Sequence, residues 1–482
     1  MRPSLLISSL VILFAWLGNL PIAKASHLLG AELVYEYIGT TASPNRYRIS
    51  AYVVNDINSL VSDYSFFLTC GKNECGNTQP GSFTAFLLRT RTLPAPIPQC
   101  VGQAGLIAYQ TRVIEGEVDL PPARWTLSIN AENRRPGISN LPQSVDQSVY
   151  VAATLDNSTG LTNSSPKFTS HYLIQLIGNQ PQRHSWSTFD SEGDSLTYEL
   201  VRPQSKANPA QACGALAVGS TIAPHFDVNA GTGELLTRPI PVQQGIFSVA
   251  VAVNEYRRVN GTWQQIGQIN RDMIYQAGSG SNQVPVFSRV AFSNNPTGQL
   301  LGQTIRASQG QTVVLNVTAT DPDAGQTVLL FSEATGAVPG VTFQAQGNGQ
   351  GQLSWQVPAG LPTGRYVLTV MAVDDACPGK GVTTQVISFL VSPLQPLASR
   401  ERQPLAQGPY PMPFREEVRF QLTEKGSQPV VILDELGRTV AQLLSAADGS
   451  ISWRPANTLP AGLYFARNLG GTQVARLAYA GQ

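Results

Sequence analysis

Charge is what this sequence has least of. Only 13% of its 482 residues are Asp, Glu, Lys or Arg, about half the ~25% of an ordinary soluble domain. The formal net charge is +1, which offers no basic face to nucleic acid and no pull toward an anionic membrane. Histidine is scarce too. His27, His171, His184 and His225 are scattered, no His-Glu-x-x-His or Gly-x-Ser-x-Gly run is present, and the Gly-rich stretch 347–352 sits among strand-like residues as a turn. A catalytic reading has no motif to stand on, so the chain is expected to be non-enzymatic. The rival, a carbohydrate-binding or carbohydrate-degrading protein, calls for two carboxylates roughly 5–9.5 Å apart or a platform of exposed tryptophans. An inert spacer would need neither. Long charged amphipathic stretches are also missing, while Gly (43) and Pro (34) abound. That balance favours many short strands joined by turns over helices.

Cysteine is limited to five residues. Cys70 and Cys75 flank a short Gly-containing loop and can pair locally; either with Cys100 is the alternative. Cys213 and Cys377 lie in distant segments, and the odd total leaves at least one thiol unpaired. A zinc site is the competing reading, but no second cysteine pair follows at ligand spacing.

Long apolar runs are confined to the start. Arg2, the run Leu5–Leu17 and the small pair Ala23 and Ala25 have the layout of a secretory signal, with cleavage expected between Ala25 and Ser26. Gly18, Asn19 and Pro21 interrupt the run short of the ~20 apolar residues of a membrane span. No later segment is long and apolar enough, so no transmembrane span is expected in the processed chain.

What is present is period-two patterning. A length of 482 residues suggests about three or four domains at ~150 residues each. We expect an N-terminal β domain over 26–148, a second over 149–281, a third over 284–393, a Pro-containing linker over 394–409 and a small β domain over 410–482. In the second, Phe247, Val249, Val251 and Val253 alternate toward an Asn260-Gly261 hairpin turn, with a return strand from Trp263 to Tyr275. The third has the size of an immunoglobulin-like sandwich. The fold class is therefore all-β, as tandem immunoglobulin/cadherin-like sandwiches. Trp125, Trp186, Trp263, Trp355 and Trp453 fall about one per strand region, a spacing that suits sandwich cores for most of them.

Acidic turns carry the candidate chemistry. Asp190, Glu192 and Asp194 stand two apart around Gly193, and Asp321, Asp323, Asp374 and Asp375 follow two strands of the third domain. Calcium takes six to eight oxygens, which closely spaced carboxylates on a glycine turn can supply. The competing reading is that Asp and Gly simply favour turns. Asn254 and Glu255 are weaker candidates for the first site. Calcium is the only cofactor expected.

Two stretches resemble known families. Tyr410-Pro411-Met412-Pro413-Phe414, then Asp434-Glu-Leu-Gly437-Arg438, Trp453 and Leu459-Pro-Ala-Gly462-Leu-Tyr464 are similar to the C-terminal sorting domain of the type IX secretion system of Bacteroidota. Met412 departs from the usual Asn. The resemblance implies that residues 410–482 form a small β-sandwich recognised by that machinery and then usually removed. The protein would be released or attached to surface lipopolysaccharide. Residues 27–276 resemble gliding-motility-associated, cadherin-like surface proteins of the same bacteria. The resemblance rests on His27-x-x-Gly30-x-Glu32-x-x-Tyr35, Asn163-Ser-Ser-Pro166, Asp190-Ser-Glu-Gly-Asp-Ser-Leu-Thr-Tyr198 and Gly267-Gln-Ile-Asn-Arg271-Asp272. That resemblance identifies architecture more than activity. The export signals and the tandem sandwiches, which present loops at their ends, lead us to expect an extracellular or outer-surface location and adhesive or structural work on a glycan or protein ligand that the sequence does not name.

Overall fold

The computed structural model describes residues 28–57, 66–97, 100, 107–206, 212–393, 404–435, 437–468 and 471–481. Met1–Leu394 and Gln395–Gln482 form two compact units. The expected signal segment, its cleavage site at Ala25 and Ser26, and His27 lie outside the described residues. Among those residues no helix is long and apolar enough to cross a membrane.

The first unit is built on a twelve-stranded sheet. Its early strands are β1 (Leu28–Tyr37), β2 (Arg46–Asp56), β3 (Phe66–Lys72), β4 (Phe83–Leu87), β5 (Arg89–Leu93), β6 (Tyr109–Asp119), β7 (Arg124–Ala131) and β8 (Val149–Asp156). The strand order begins with β4 and ends with β5, yet only Leu88 separates those two in the chain. The sheet therefore rolls back on itself, so that its inward residues share one core that runs from Leu28 to Ala277 and takes in Met371, Val373 and Val382 of the sandwich that follows.

The expected boundary at residue 148 does not hold. β8 pairs with β7 along its length, and the long strand Thr262–Gly278 pairs with both β8 and β1. That strand and its hairpin partner Gly245–Val259 are a spine common to the two expected domains. Period-two patterning cannot reveal this, because it fixes which face a side chain takes and not which strand lies alongside. The Asn260-Gly261 turn forms as expected, with Val259 opposite Thr262 and both turn residues at positive φ (51° and 83°).

Val286–Ser392 makes a two-sheet sandwich of four strands each. Trp355 fills its centre against Phe389 and Tyr366. The second unit is a smaller sandwich of three- and four-stranded sheets around Phe414, Trp453, Tyr464 and Tyr479. Its first strand, Gln407–Tyr410, begins inside the expected linker 394–409. The fold class is all-β, as the composition implied. Trp125, Trp186, Trp355 and Trp453 are core residues, whereas Trp263 is 56% exposed beside Arg258.

The expected Cys70–Cys75 pairing is overturned. The disulfides are Cys75–Cys213 and Cys100–Cys377, and Cys70 is a free, buried thiol. Cys70 lies on a core-facing position of β3, where burial pushes its thiol up to about 12 and keeps it inert. Chain proximity misled here because the strand aims Cys70 inward while Cys75 sits on the loop that follows.

Candidate functional site

The first acidic loop is placed by two glycines. Gly193 adopts φ +75°, and a Cβ there would lie 2.9 Å from Pro362 and from the Tyr366 hydroxyl. The loop thus seats against the turn that opens Gly364–Asp374. Gly267, opposite Glu255 across the hairpin, has no room for a Cβ beside the Glu255 carboxylate.

Asp190, Asp194 and Glu255 converge, each offering one oxygen within 4.8 Å of the others. Among the described residues this is the one such group. All three are buried or nearly so. Asn163 Nδ2 donates to Glu255 Oε2 at 2.8 Å, and the Asp194 amide donates to Asp190 Oδ1 at 2.8 Å. Asp190 Oδ2 and Glu255 Oε1 are buried with no donor from any other residue, and the two carboxyls hydrogen-bond to each other. Burial, then the charges of Asp194 and Glu192, push the Asp190 carboxyl up to about 7. Burial, then the charges of Asp190 and Asp194, raise Glu255 well above the glutamate range.

Sequence reasoning missed Arg257. Its guanidinium grips Asp194 with Nε–Oδ1 at 2.7 Å and Nη2–Oδ2 at 2.5 Å, and also donates to Thr162 and Asn163. A fixed cation already lies on one carboxylate of the expected site. Glu192 turns away and accepts from the Ser164 amide at 3.1 Å. Asn254 likewise faces Glu199 and Gln268. The signal in the sequence was slight: Arg257 follows Glu255 by two residues, the spacing that returns a strand residue to the same face.

The second acidic group is divided among local hydrogen bonds. Asp374 accepts from Asn282 at 2.7 Å and from the Ala376 and Gly381 amides. Asp323 accepts from the Gln283 backbone and side chain. Asp375 accepts from the Thr327 amide and hydroxyl, and Asp321 accepts from the Asp323 amide. These bonds hold Asp323 and Asp375 below the usual range, while burial raises Asp321 and Asp374.

Gly30, Glu32, Tyr35, Arg271 and Asp272 of the front-half signature form buried scaffolding. Glu32 and Arg271 make an ion pair with both side chains at 3% exposure or less. His171 Nε2 lies 3.1 Å from Glu32 Oε1. Arg134 pairs with Asp272 at 2.6 Å. A Cβ on Gly30 would fall 2.5 Å from the Asp272 carbonyl, so glycine is what lets β1 close on the spine. Tyr35 exchanges hydrogen bonds with Ser165.

Several of the tail's motif residues hold its fold. Arg438 donates to Asp434 from its amide and Nε across a turn with Gly437 at φ +77°. Gly462 opens the strand that carries Tyr464, whose hydroxyl donates to the Pro460 carbonyl at 2.7 Å. The same local device holds Tyr366 to Pro362 at 2.8 Å in the preceding sandwich. Phe414 is buried against Trp453 and Tyr479, while Tyr410 is 75% exposed. Pro411 and Pro413 both follow cis peptide bonds.

No protein-family description and no curated protein matches the chain. Among solved structures it is similar to human protocadherin-24 EC1-2, at 19% identity over 48% of this chain and 100% of that one, with a TM-score of 0.17. It is also similar to the titin I-band fragment I67-I69, at 9% identity over 66% and 96%, TM-score 0.16. An endo-fucoidan hydrolase of glycoside hydrolase family 107 is similar at 12% identity over 64% and 39%, TM-score 0.18.

Proposed function

We propose that this chain is an exported, non-enzymatic surface protein whose tandem β-sandwich body does adhesive or structural work. The observation that carries the reading is the pair of long-range disulfides. Cys75–Cys213 and Cys100–Cys377 span 138 and 277 residues, and bonds of this kind persist in oxidising compartments outside the cytoplasm. They tie separate parts of one body together, which suits a chain that bears load or presents a fixed surface. The N-terminal signal pattern agrees with that location.

In this reading residues 410–482 are the sorting domain read by the type IX secretion machinery. Deleting them should leave the protein in the periplasm, checked by fractionation and surface proteolysis; surface delivery of the truncated chain would sink the assignment.

Calcium belongs to the proposal at the Asp190–Glu255 end of the acidic cluster, where two buried carboxyls have only each other as partners at Asp190 Oδ2 and Glu255 Oε1 and a hard cation that displaces the shared proton would find oxygen ligands. Arg257 would remain on Asp194. Millimolar calcium should raise the melting temperature of the full chain by several degrees, as ligand binding to the folded state requires. Asp190→Asn/Glu255→Gln should abolish the rise. An unchanged melting curve in calcium would remove the ion and leave the rest of the reading in place.

A further inference from the structure

A second site lies on the other face of the rolled sheet. A cleft of about 760 Å³ opens between the polar face of β1, β2, β6 and β5 and a roof made by residues 167–171 and 333–337. Its volume falls within the ~300–1,000 Å³ of small-molecule sites. Strand alternation builds the floor, sending every second side chain of these strands to this face.

The lining mixes donors and acceptors. Arg48, Arg89, Arg91 and Lys167 face Glu36, Glu115 and Glu333 across it. Arg89 meets Glu117 at 3.4 Å and Arg91 meets Glu115 at 3.8 Å, with the two arginines 72% and 52% exposed. Pairs so exposed hold little energy, and each guanidinium keeps unused N–H groups. Deeper in, the Tyr52 and His171 rings stack at 4.7 Å and 15°, and His171 is fixed from behind by Glu32.

We propose that this cleft binds an acidic oligosaccharide, with the Arg89 and Arg91 guanidinium groups holding its carboxylate or sulfate groups and the Tyr52–His171 stack supporting a sugar ring. Guanidinium forks match planar and tetrahedral oxyanions with paired hydrogen bonds. The carboxylates between them accept from sugar hydroxyls. That second feature selects a saccharide over an acidic peptide, which brings few hydroxyls to satisfy Glu36 and Glu115. The inference rests neither on the export route nor on calcium.

The test is calorimetric titration of the full chain with four probes: oligogalacturonate, dextran sulfate oligomers, neutral dextran and poly-glutamate. At least one acidic saccharide should bind about tenfold more tightly than neutral dextran and poly-glutamate. Which one does so identifies the oxyanion as carboxylate or sulfate. Arg89→Ala/Arg91→Ala should weaken that binding by about tenfold or more, and Arg289→Ala/Arg306→Ala, which removes equal charge outside the cleft, by less than about twofold. Arg89→Lys/Arg91→Lys keeps charge and loses the fork, and should still weaken binding by about threefold. Three outcomes would overturn the proposal: no probe binding at millimolar concentration, poly-glutamate or neutral dextran binding as tightly, or affinity unchanged in either cleft pair.

Discussion

Arg271→Met should destabilise the first unit by about 3–5 kcal/mol, read as a lowered urea midpoint, because it strands a buried charge. Arg271 is fully buried, pairs with Glu32 and donates to the Ser170 carbonyl at 2.7 Å. Its guanidinium also lies 3.7 Å from the Phe168 ring centre. Without it, Glu32 keeps only His171 and remains at 3% exposure. Glu32→Gln/Arg271→Met removes both charges and should recover part of the loss, since an uncompensated ion costs more than an absent pair. A double variant as unstable as the single one would show that packing, not charge, dominates.

The pH dependence follows from the same pair. Burial alone would raise the Glu32 carboxyl, but Arg271 and His171 bring it below the usual glutamate range. A carboxyl depressed by folding adds stability that is complete above the unfolded value, about 4.3. That stability is lost as the pH falls through the lower folded value. In Arg271→Met the desolvation of Glu32 is unopposed by the guanidinium. Its carboxyl should then sit above the ordinary value, and stability should fall as the pH rises from about 4.3 through the raised folded value. A variant whose acid unfolding matches the parent would break this account.

The signature residues show how much of the molecule could be read in advance. Strand content and the Asn260-Gly261 hairpin were legible because each is written locally, in alternation and turn chemistry. The partition at residue 148 was not, because β8 and the spine strand meet through backbone hydrogen bonds that any residue can make. Gly30, Glu32, Tyr35, Arg271 and Asp272 stood out as a pattern, yet pattern alone cannot separate scaffold from chemistry. Burial assigns them to scaffold.

The acidic loop was legible as a cluster, and Glu255, a weaker candidate in the sequence, joins it from a strand more than fifty residues away. Arg257 on that strand was missed, and Glu192 turns away. The Leu361-Pro-Thr-Gly-Arg-Tyr366 and Leu459-Pro-Ala-Gly-Leu-Tyr464 runs make the same tyrosine-to-carbonyl bond. Pro460, Gly462 and Tyr464 therefore describe a sandwich corner, and the sorting assignment leans on the Tyr410–Phe414 and Asp434–Arg438 segments. The cleft left no sequence motif at all, since its arginines alternate with carboxylates across four strands, β1, β2, β6 and β5, that only the sheet brings together.

Removal of both disulfides should rival the loss of Arg271. Each cross-link typically stabilises by about 2–4 kcal/mol through the chain entropy it withdraws from the unfolded state. Loops of 138 and 277 residues put both at the upper end of that range in the same account. Cys75→Ser/Cys213→Ser and Cys100→Ser/Cys377→Ser should each lower the melting temperature by about 4–8 °C, and the four-fold variant by more. The connectivity has its own measurement. Native protein treated with a thiol reagent should take up no label, because Cys70 is fully buried and its thiol is pushed up to about 12. Unfolded but unreduced protein should take up one label, at Cys70. Peptide mapping would then find Cys75 with Cys213 and Cys100 with Cys377. Label on Cys213 or Cys377 without reduction would overturn this connectivity, in favour of a pairing among Cys70, Cys75 and Cys100, and weaken the support for a body tied together outside the cytoplasm.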